Sequence, residues 1–180
     1  ILDLVSFLQI PLDEMIATCL LAGIVTDTRG FRTSNTSGDS LRAAVTLIEA
    51  GAPLTKITDA AFSHRPRSVI EMWGYGLSHH SFSKGIMWCV IPQEILQRVA
   101  PQARSSRGLI NFLSELDGVK VAIVFRELEE GTVDVSFRSV PEVNVSRVAA
   151  SFGGGGHPQA AGCLLQGTLE ETEERIVNSV

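Results

Sequence analysis

The sequence has little of what marks a membrane protein, a disulfide-stabilised protein or a general DNA-binding protein. Charged residues interrupt every apolar stretch well before the length needed to cross a bilayer. Lys and Arg number 15 against 20 Asp and Glu, and the net charge of −5 argues against general binding of duplex DNA. The cysteines are few, lie in apolar surroundings and lack metal-ligand spacing: Cys19, Cys89 and Cys163. We therefore expect buried free thiols, no membrane partner and a cytoplasmic location.

Four consecutive glycines, Gly153–Gly156, stand directly before His157. Such a run loses much entropy on ordering, so a folded domain tolerates it where the backbone must come close to something. Glycine N–H groups can form a concavity suited to phosphate or carboxylate, with His157 at its lip as a donor and proton carrier. A flexible turn with an incidental histidine is the alternative. The small residues Ala160–Gly162 favour the functional interpretation, because they leave room for a flat ligand.

Asp27 and Arg138 are two further candidates. Asp27 stands where a short apolar segment ends and polar residues begin, so its carboxylate is available to a ligand, with a helix cap or turn as the alternative. Arg138 lies on the polar side of an alternating strand, Thr132–Ser139. A guanidinium offers planar, bidentate donation to phosphate, with a solvated strand arginine as the alternative. Ser136 and Ser139 could supplement it.

Hydrophobic periodicity predicts a helical first part and an α/β second part. A helix is expected from Pro11, and another over 39–50 with an apolar stripe of Leu41, Ala44, Val45, Leu47 and Ile48. Strands and helices then alternate after a connecting helix. We predict three segments: residues 1–64, a connecting segment 65–80, and a smaller α/β domain with a mixed sheet at 81–180.

Three stretches resemble the DHH-type phosphoesterases, the superfamily of the RecJ nuclease, oligoribonucleases, exopolyphosphatases and cyclic-dinucleotide phosphodiesterases. Residues 151–162 are similar to the GGGH-x-x-AAG signature of the DHH-associated domain. Residues 135–139 resemble the V-S-x-R-S strand that precedes it. Residues 23–36 resemble the fourth metal-binding motif, and their F-R-x-S-N-T continuation is similar to the oligoribonuclease and pAp-phosphatase branch.

The resemblance implies a fold, a metal and a set of site residues. The chain would be the C-terminal part of a DHH domain, mostly helical, joined by a connecting helix to the substrate-binding domain. Asp27 would be one ligand of a two-metal Mn²⁺ site whose other ligands are expected upstream of residue 1, because neither D-x-D nor D-H-H occurs. The implied substrate-binding residues are Ser136, Arg138, Ser139, Gly154, Gly155, Gly156, His157 and Ala160.

The implied enzyme, when intact, is a manganese-dependent phosphoesterase acting on short single-stranded RNA or DNA oligonucleotides, on the nucleoside bisphosphate pAp, or on both. This chain alone is expected to be inactive. A cyclic-dinucleotide phosphodiesterase or an exopolyphosphatase of the same fold is an alternative, as is a non-catalytic nucleotide-binding module. A D-x-D and a D-H-H motif upstream would favour the enzyme. A homodimer is also left open.

Overall fold

The computed structural model describes residues 1–33, 35–63, 66–99, 101 and 105–180, apart from the side chains of residues 107 and 130. The chain divides into two units, Ile1–His64 and Arg65–Val180. The first is helical and the second is an α/β structure with a six-stranded mixed sheet, so the predicted fold class is confirmed. No helix within these described ranges is long and apolar enough to span a bilayer.

The first unit consists of short helices around a small apolar core. The helices are α1 (Leu2–Phe7), α2 (Glu14–Asp27), α3 (Gly38–Glu49) and α4 (Leu54–Thr58), the last continued by a π-helical turn, Asp59–Ser63. Polar caps fix two helix starts: the Asp13 carboxylate accepts from the Ile16 N–H at 2.8 Å, and Ser37 forms a capping box with Ser40. The buried core is formed by Ala17, Leu21, Val25, Ala44, Leu47, Ala52 and Ile57.

Helix α2 differs from the sequence-based prediction in its start and in its buried face. It begins at Glu14 rather than at Pro11, because Asp13 provides the N-terminal cap. Its buried positions follow Ala17, Leu21 and Val25, which turns Cys19 to the surface. The prediction of a buried Cys19 was therefore wrong, and the reason is that α2 is apolar on most of its circumference, so periodicity does not select one face.

The second unit is built on one sheet with the strand order β1-β2-β3-β4-β6-β5. Strands β2 and β3 pair in parallel, and every other neighbouring pair is antiparallel. The strands are β1 (His80–Ser83), β2 (Ile86–Ile91), β3 (Val121–Glu127), β4 (Thr132–Ser139), β5 (Gly155–His157) and β6 (Ala160–Gln166). The helices are α5 (Val69–Ser78), α6 (Gln93–Arg98), α7 (Arg107–Ser114), α8 (Val145–Ser151) and α9 (Leu169–Val177), with a 3₁₀ turn at Glu129–Gly131.

Helices pack on both faces of this sheet. On one face, α5, α6 and α7 bury residues of β2 and β3, including Cys89 and Val124. On the other face, α8 and α9 pack against β3, β4 and β6, where Phe125 and Phe137 are fully buried. Because side chains alternate along each strand, the polar residues of β4 share the face that carries α5–α7.

Helix α5, predicted to lie in a connecting segment, packs as part of the second unit. Its Met72 is fully buried in the core beneath α5–α7. At Gly76, an added Cβ would lie 2.8 Å from Leu109 and 3.0 Å from Ile91, so the helix backbone approaches the sheet closely there. Residues 69–78 therefore share the hydrophobic core of the second unit.

Candidate functional site

The four glycines turn the chain from α8 into the edge strand β5, and the fold explains three of them. Gly153 has φ +77° and ends α8 as a Schellman cap: its N–H bonds the Ala150 carbonyl at 3.0 Å, and the Gly154 N–H bonds that of Ala149 at 2.8 Å. A Cβ on Gly154 would lie 2.2 Å from the Gly162 carbonyl oxygen. Gly156 has φ +141°, and a Cβ there would lie 2.5 Å from the Ala160 oxygen.

Gly155 is the exception within this run. It lies outside the left-handed region, and a Cβ added to it would meet no atom of the described residues within 4 Å. The residue is exposed at the sheet edge. Neither backbone conformation nor packing therefore requires glycine at this position.

The strand register brings Arg138, Ala160 and His157 into one line across three neighbouring strands. Arg138 on β4 pairs with Ala160 on β6, and Ala160 pairs with His157 on β5. Directly paired residues point to the same face of a sheet, and neighbouring strands lie about 4.8 Å apart. The Cα atoms of Arg138 and His157 are thus about 10 Å apart, with a single alanine between them.

A second line runs beside the first, one pleat along the strands, and consists of Ser136, Gly162 and Gly155. It is about 7 Å from the first line, the distance between successive same-face residues of a strand. The two lines together form a flat floor of small residues, with Arg138 and Ser136 on one side and His157 on the other. We call this surface the β4–β6–β5 floor.

Some predicted substrate-binding residues lie elsewhere. Ser139 belongs to the opposite face, and its hydroxyl donates to the Val143 carbonyl at 2.6 Å. Ala161, predicted to keep the ligand side small, is buried on that same face, in the apolar core that includes residues of α8. Gly154 and Gly156 lie beside the floor, where they allow β5 to pack closely against β6. The structure therefore brings together Ser136, Arg138, Gly155, His157 and Ala160, together with Gly162.

The glycine segment is a paired strand rather than an open concavity of N–H groups. Gly155–His157 pairs with β6 along its inner side, so part of its backbone hydrogen-bonding capacity is used in the sheet. Because β5 is the terminal strand in the order, its outer side keeps the remaining groups available. The site is accordingly flat, and its donors lie along a sheet edge.

Polar contacts hold the β4 side of the floor in place. The Arg138 Nε donates to the Asn111 side-chain oxygen at 3.2 Å, and its Nη1 donates to the Phe137 carbonyl at 2.9 Å. The hydroxyls of Ser136 and Ser106 are 3.0 Å apart. The floor therefore borders helix α7, which contributes Asn111.

Further along the same face, Arg126 and Asp134 form a half-buried ion pair. The Arg126 Nη2 and Nε lie 2.7 and 3.1 Å from Asp134 Oδ2. Side-chain exposures of 18% and 23% mean that solvent screens this pair only partly. A guanidinium and a carboxylate thus satisfy each other immediately beside the floor.

In the first unit, Asp27 is the last residue of α2 and its carboxylate is exposed. The side-chain amide of Asn35 donates to Asp27 Oδ2 at 2.7 Å, and Asn35 in turn accepts from the Thr33 hydroxyl. Asp27 is not an N-terminal helix cap, because it is the last residue of α2 and the next helix is capped by Ser37. Its position agrees with the sequence-based expectation of a carboxylate at the junction between an element and a polar loop.

Asp27 fits a hard divalent cation as one oxygen ligand, but the described residues supply no complete site. Nowhere in the described ranges do three or more His, Cys, Asp or Glu side chains come close enough to hold a metal ion. Manganese prefers several oxygen and imidazole ligands. The part of the chain that is described therefore does not form a two-metal centre by itself.

The family model of the DHHA1 domain matches residues 94–180, a segment that contains the β4–β6–β5 floor. The chain is similar to DHH-type phosphoesterases. Over 181 residues it is 34% identical to the bifunctional oligoribonuclease and PAP phosphatase NrnA of Thermus thermophilus, covering 99% of this chain and 54% of the relative. It is 30% identical to the cyclic-di-AMP phosphodiesterase GdpP of Geobacillus thermodenitrificans, over 96% of this chain and 25% of that protein.

A solved structure shares the architecture. An exopolyphosphatase-related protein from Bacteroides fragilis superposes with a TM-score of 0.83 at 25% identity, covering 93% of this chain and 50% of that one. The chain spans about half the length of the NrnA relatives that it matches.

Sequence reasoning assigned no role to three residues that support the site. Asn35 contacts Asp27, Asn111 contacts Arg138, and Ser106 contacts Ser136. Asn35 lies within residues 23–36, the stretch that resembles the metal-binding motif, so its place in the sequence was an indication of a role near Asp27. Asn111 and Ser106 are 27 and 30 residues away from their partners, and no local pattern indicates such contacts.

Proposed function

We propose that the intact protein is a manganese-dependent phosphoesterase that hydrolyses short single-stranded oligonucleotides and the nucleoside bisphosphate pAp in the cytoplasm. In this proposal the second unit binds the substrate, and the first contributes Asp27 to a two-metal site completed by residues outside this chain. The NrnA relatives carry oligoribonuclease and PAP phosphatase in their names, and this supports the substrate class.

Gly155 is the observation that carries the proposal. Three of the four glycines are required by φ angle or packing, whereas the fold leaves open space at Gly155. A glycine that the fold does not require, at an exposed edge between His157 and Gly162, is explained if the space belongs to a ligand. The flat floor suits the face of a nucleobase or ribose, since Ala160 and Gly162 project little above the sheet.

Arg138 and His157 bind the anionic part of the substrate in this proposal. The guanidinium donates to phosphate in a bidentate manner, and the imidazole donates from the other side of Ala160. The separation of about 10 Å between their Cα atoms lets the two side chains converge on one phosphate group. Together the two side chains would position the scissile bond. Binding then supplies in advance the entropy cost of bringing the reacting groups into place.

Asp27 acts in this proposal as a metal ligand whose carboxylate Asn35 orients. The Asn35 amide bonds Asp27 Oδ2 and would restrict rotation of the carboxylate while that group ligates an ion. Divalent ions bound there would supply Lewis-acid activation of a water molecule and would stabilise charge on the phosphate.

The Gly155→Val substitution tests the binding site within this chain. We expect the affinity for pAp, measured by calorimetry, to fall about tenfold or more, because the side chain fills the space proposed for the ligand. Gly74→Ala is the matched control, since Gly74 also has open space around its Cβ direction but lies in α5. Both variants should keep the parent melting temperature to within a few degrees. Parent-like affinity of Gly155→Val for pAp would show that the space is not used.

The Asp27→Asn substitution tests the metal role in the full gene product. We expect manganese-dependent hydrolysis of di- to pentanucleotides and pAp to be largely lost, while nucleotide affinity and thermal stability are retained. Cyclic-di-AMP and polyphosphate serve as comparison substrates, because relatives named for those activities also match. A fully active Asp27→Asn enzyme would contradict the assignment, and turnover by residues 1–180 alone would contradict the need for further ligands.

A further inference from the structure

Three consecutive residues directly after α2 adopt the left-handed region of backbone space. Their φ angles are +49° at Arg29, +72° at Gly30 and +66° at Phe31. Residues other than glycine rarely adopt positive φ, and for a bulky side chain such as that of phenylalanine it is an outlier. Such a conformation persists only where the surrounding structure fixes it. The left-handed turn 29–31 therefore requires residues that hold it in place.

Thr28 connects this turn to helix α2. The residue is only 3% exposed, and its hydroxyl donates to the Ile24 carbonyl at 2.7 Å and accepts from the Phe31 N–H at 2.9 Å. Its carbonyl accepts from the N–H groups of Arg32 at 2.8 Å and Thr33 at 3.2 Å. Four hydrogen bonds of one buried residue thus link the last turn of α2 to the end of the left-handed turn and to the two residues that follow it.

The segment after the turn makes a polar contact back to the end of α2. The Thr33 hydroxyl donates to the Asn35 side-chain oxygen, and the Asn35 amide donates to Asp27 Oδ2 at 2.7 Å. Asp27 and Asn35 are both exposed. A hydrogen bond between two exposed side chains receives little support from packing, so its geometry depends on the backbone that presents them. The left-handed turn belongs to that backbone, because it lies between the two residues in the chain.

We infer that Thr28 is a positioning residue: through the left-handed turn 29–31 it holds Asn35 against Asp27 and thereby prepares the Asp27 carboxylate for a divalent cation. This inference rests on the proposed function, in which Asp27 is a metal ligand. Thr28 acts through Asn35 and is not itself assigned to the ion. The inference predicts that a hydroxyl at position 28, rather than a side chain of that volume, is required for metal affinity.

Replacement of Thr28 in the full gene product tests the inference, with the affinity for Mn²⁺ measured by electron paramagnetic resonance titration rather than by turnover. Thr28→Val keeps the volume and removes both hydroxyl bonds. We expect Mn²⁺ binding to weaken about tenfold, because partners that orient a metal ligand typically contribute about 10- to 100-fold in affinity. Thr28→Ser keeps the hydroxyl and should bind Mn²⁺ like the parent. Thr58→Val is the matched control, since the Thr58 hydroxyl donates to the Leu54 and Thr55 carbonyls of its own helix, outside the left-handed turn.

Asn35→Ala distinguishes positioning from a merely structural role. Because Asn35 is exposed, its replacement should leave the melting temperature nearly unchanged, while Mn²⁺ binding weakens about as much as in Thr28→Val. The double variant Thr28→Val/Asn35→Ala should bind Mn²⁺ like Asn35→Ala alone, because Thr28 acts through Asn35. Circular dichroism at the titration temperature checks that each variant is folded.

The outcomes separate this inference from the proposed function. Parent-like Mn²⁺ affinity in Thr28→Val or Asn35→Ala, or additive losses in the double variant, would overturn the role of Thr28 alone. An unfolded Thr28→Val protein would also overturn it, because Thr28 would then support the fold as a whole rather than the contact with Asp27. Parent-like Mn²⁺ affinity in Asp27→Asn would overturn the proposed metal ligand and this inference with it.

Discussion

The two units of the chain differ in how completely they bury their apolar residues. Among the described residues, 16 large hydrophobic side chains are exposed, and ten of them lie in the first 64 residues. These ten are Ile1, Leu4, Phe7, Leu8, Ile10, Met15, Leu41, Val45, Ile48 and Phe62. In the second unit helices pack against both faces of the sheet, and the remaining six exposed side chains lie there. The second unit thus buries its apolar side chains as a complete domain does. The first unit presents an apolar surface of the kind that normally lies at an interface.

Helix α3 shows this contrast within one element. Its residues Ala44 and Leu47 are buried, as predicted from the sequence. The neighbouring stripe of Leu41, Val45 and Ile48 was predicted to be buried too, and it is 40–54% exposed. A helix that is apolar on two sides belongs between two packing partners. Since the chain spans only about half of its NrnA relatives, we expect the second partner in the remaining polypeptide.

The largest difference in stability between the two units is expected when one phenylalanine is replaced in each. Phe137→Ala should lower the free energy of unfolding by about 3–5 kcal/mol, because the ring is fully buried in the sheet core. Phe7→Ala should change it by less than about 0.5 kcal/mol, because the ring is 81% exposed. Urea denaturation followed by circular dichroism measures both, and Trp73 and Trp88 report the second unit by fluorescence. Equal losses would contradict the difference in burial.

The exposed stripe of α3 allows the next prediction. Val45→Lys in the chain 1–180 should change stability by no more than about 0.5 kcal/mol. In the full gene product the same change should cost about 1.5–3 kcal/mol, because burial of valine would be replaced by burial of a charge. Leu47→Lys is the contrasting substitution. Because Leu47 is fully buried in the first unit, this change should lower the stability of both proteins. An unaffected full-length Val45→Lys protein would show that the stripe stays exposed.

The reactivity of the cysteine thiols should differ between the two units. Burial raises the pKa of the Cys89 thiol to about 12, and burial with the charge of Asp134 raises the pKa of Cys163 to about 11. Cys19 is exposed. At pH 8, a thiol reagent should therefore label one cysteine per native chain quickly, and all three after denaturation. Rapid labelling of Cys89 or Cys163 in the native chain would show that the second unit opens readily.

The same shifts make the stability of the second unit sensitive to alkaline pH. Both folded-state pKa values lie above the ordinary value of 9.0, so the unfolded chain releases these protons first. Their contribution is complete below about pH 9 and is lost as the pH rises toward the folded-state values. Fluorescence-monitored denaturation at pH 8 and pH 10 should show the decline. Serine variants at both cysteines should reduce the difference.

The smallest effect concerns the hairpin between β1 and β2. Lys84 and Gly85 have φ of +51° and +84°, a two-residue turn that favours asparagine at its first position. Lys84→Asn should stabilise the second unit by about 0.5 kcal/mol. Lys56→Asn in helix α4 is the matched control and should stabilise neither unit. A decrease in the fluorescence midpoint for Lys84→Asn would contradict the turn assignment.

Local patterns predicted the alternation of helices and strands, and with it the class of fold. The side of β4 that carries Arg138 followed directly from apolar and polar alternation, because period two leaves no ambiguity within a regular strand. The place of Asp27 at the end of an element was visible from the change in polarity. These features depend on neighbours in sequence, so the sequence alone was sufficient.

Features that depend on distant partners were not predictable in the same way. Glycine carries no side-chain pattern, so the strand character of Gly155–His157 appears only once β6 pairs with it. Ser139 extends the alternation of β4 to the opposite face, yet its motif had suggested a place beside Arg138. The contact between Asn111 and Arg138 requires the packing of α7 on the sheet, which no local pattern encodes.

The unequal demands on the four glycines also bear on how the substrate range of such a protein can evolve. Gly153, Gly154 and Gly156 are fixed by the fold, so most mutations there would be removed for loss of stability. Gly155 can accept a side chain without disturbing the sheet. A single substitution at that position can therefore change which ligands are accepted while the fold is kept. Ligand specificity can then evolve there independently of fold stability.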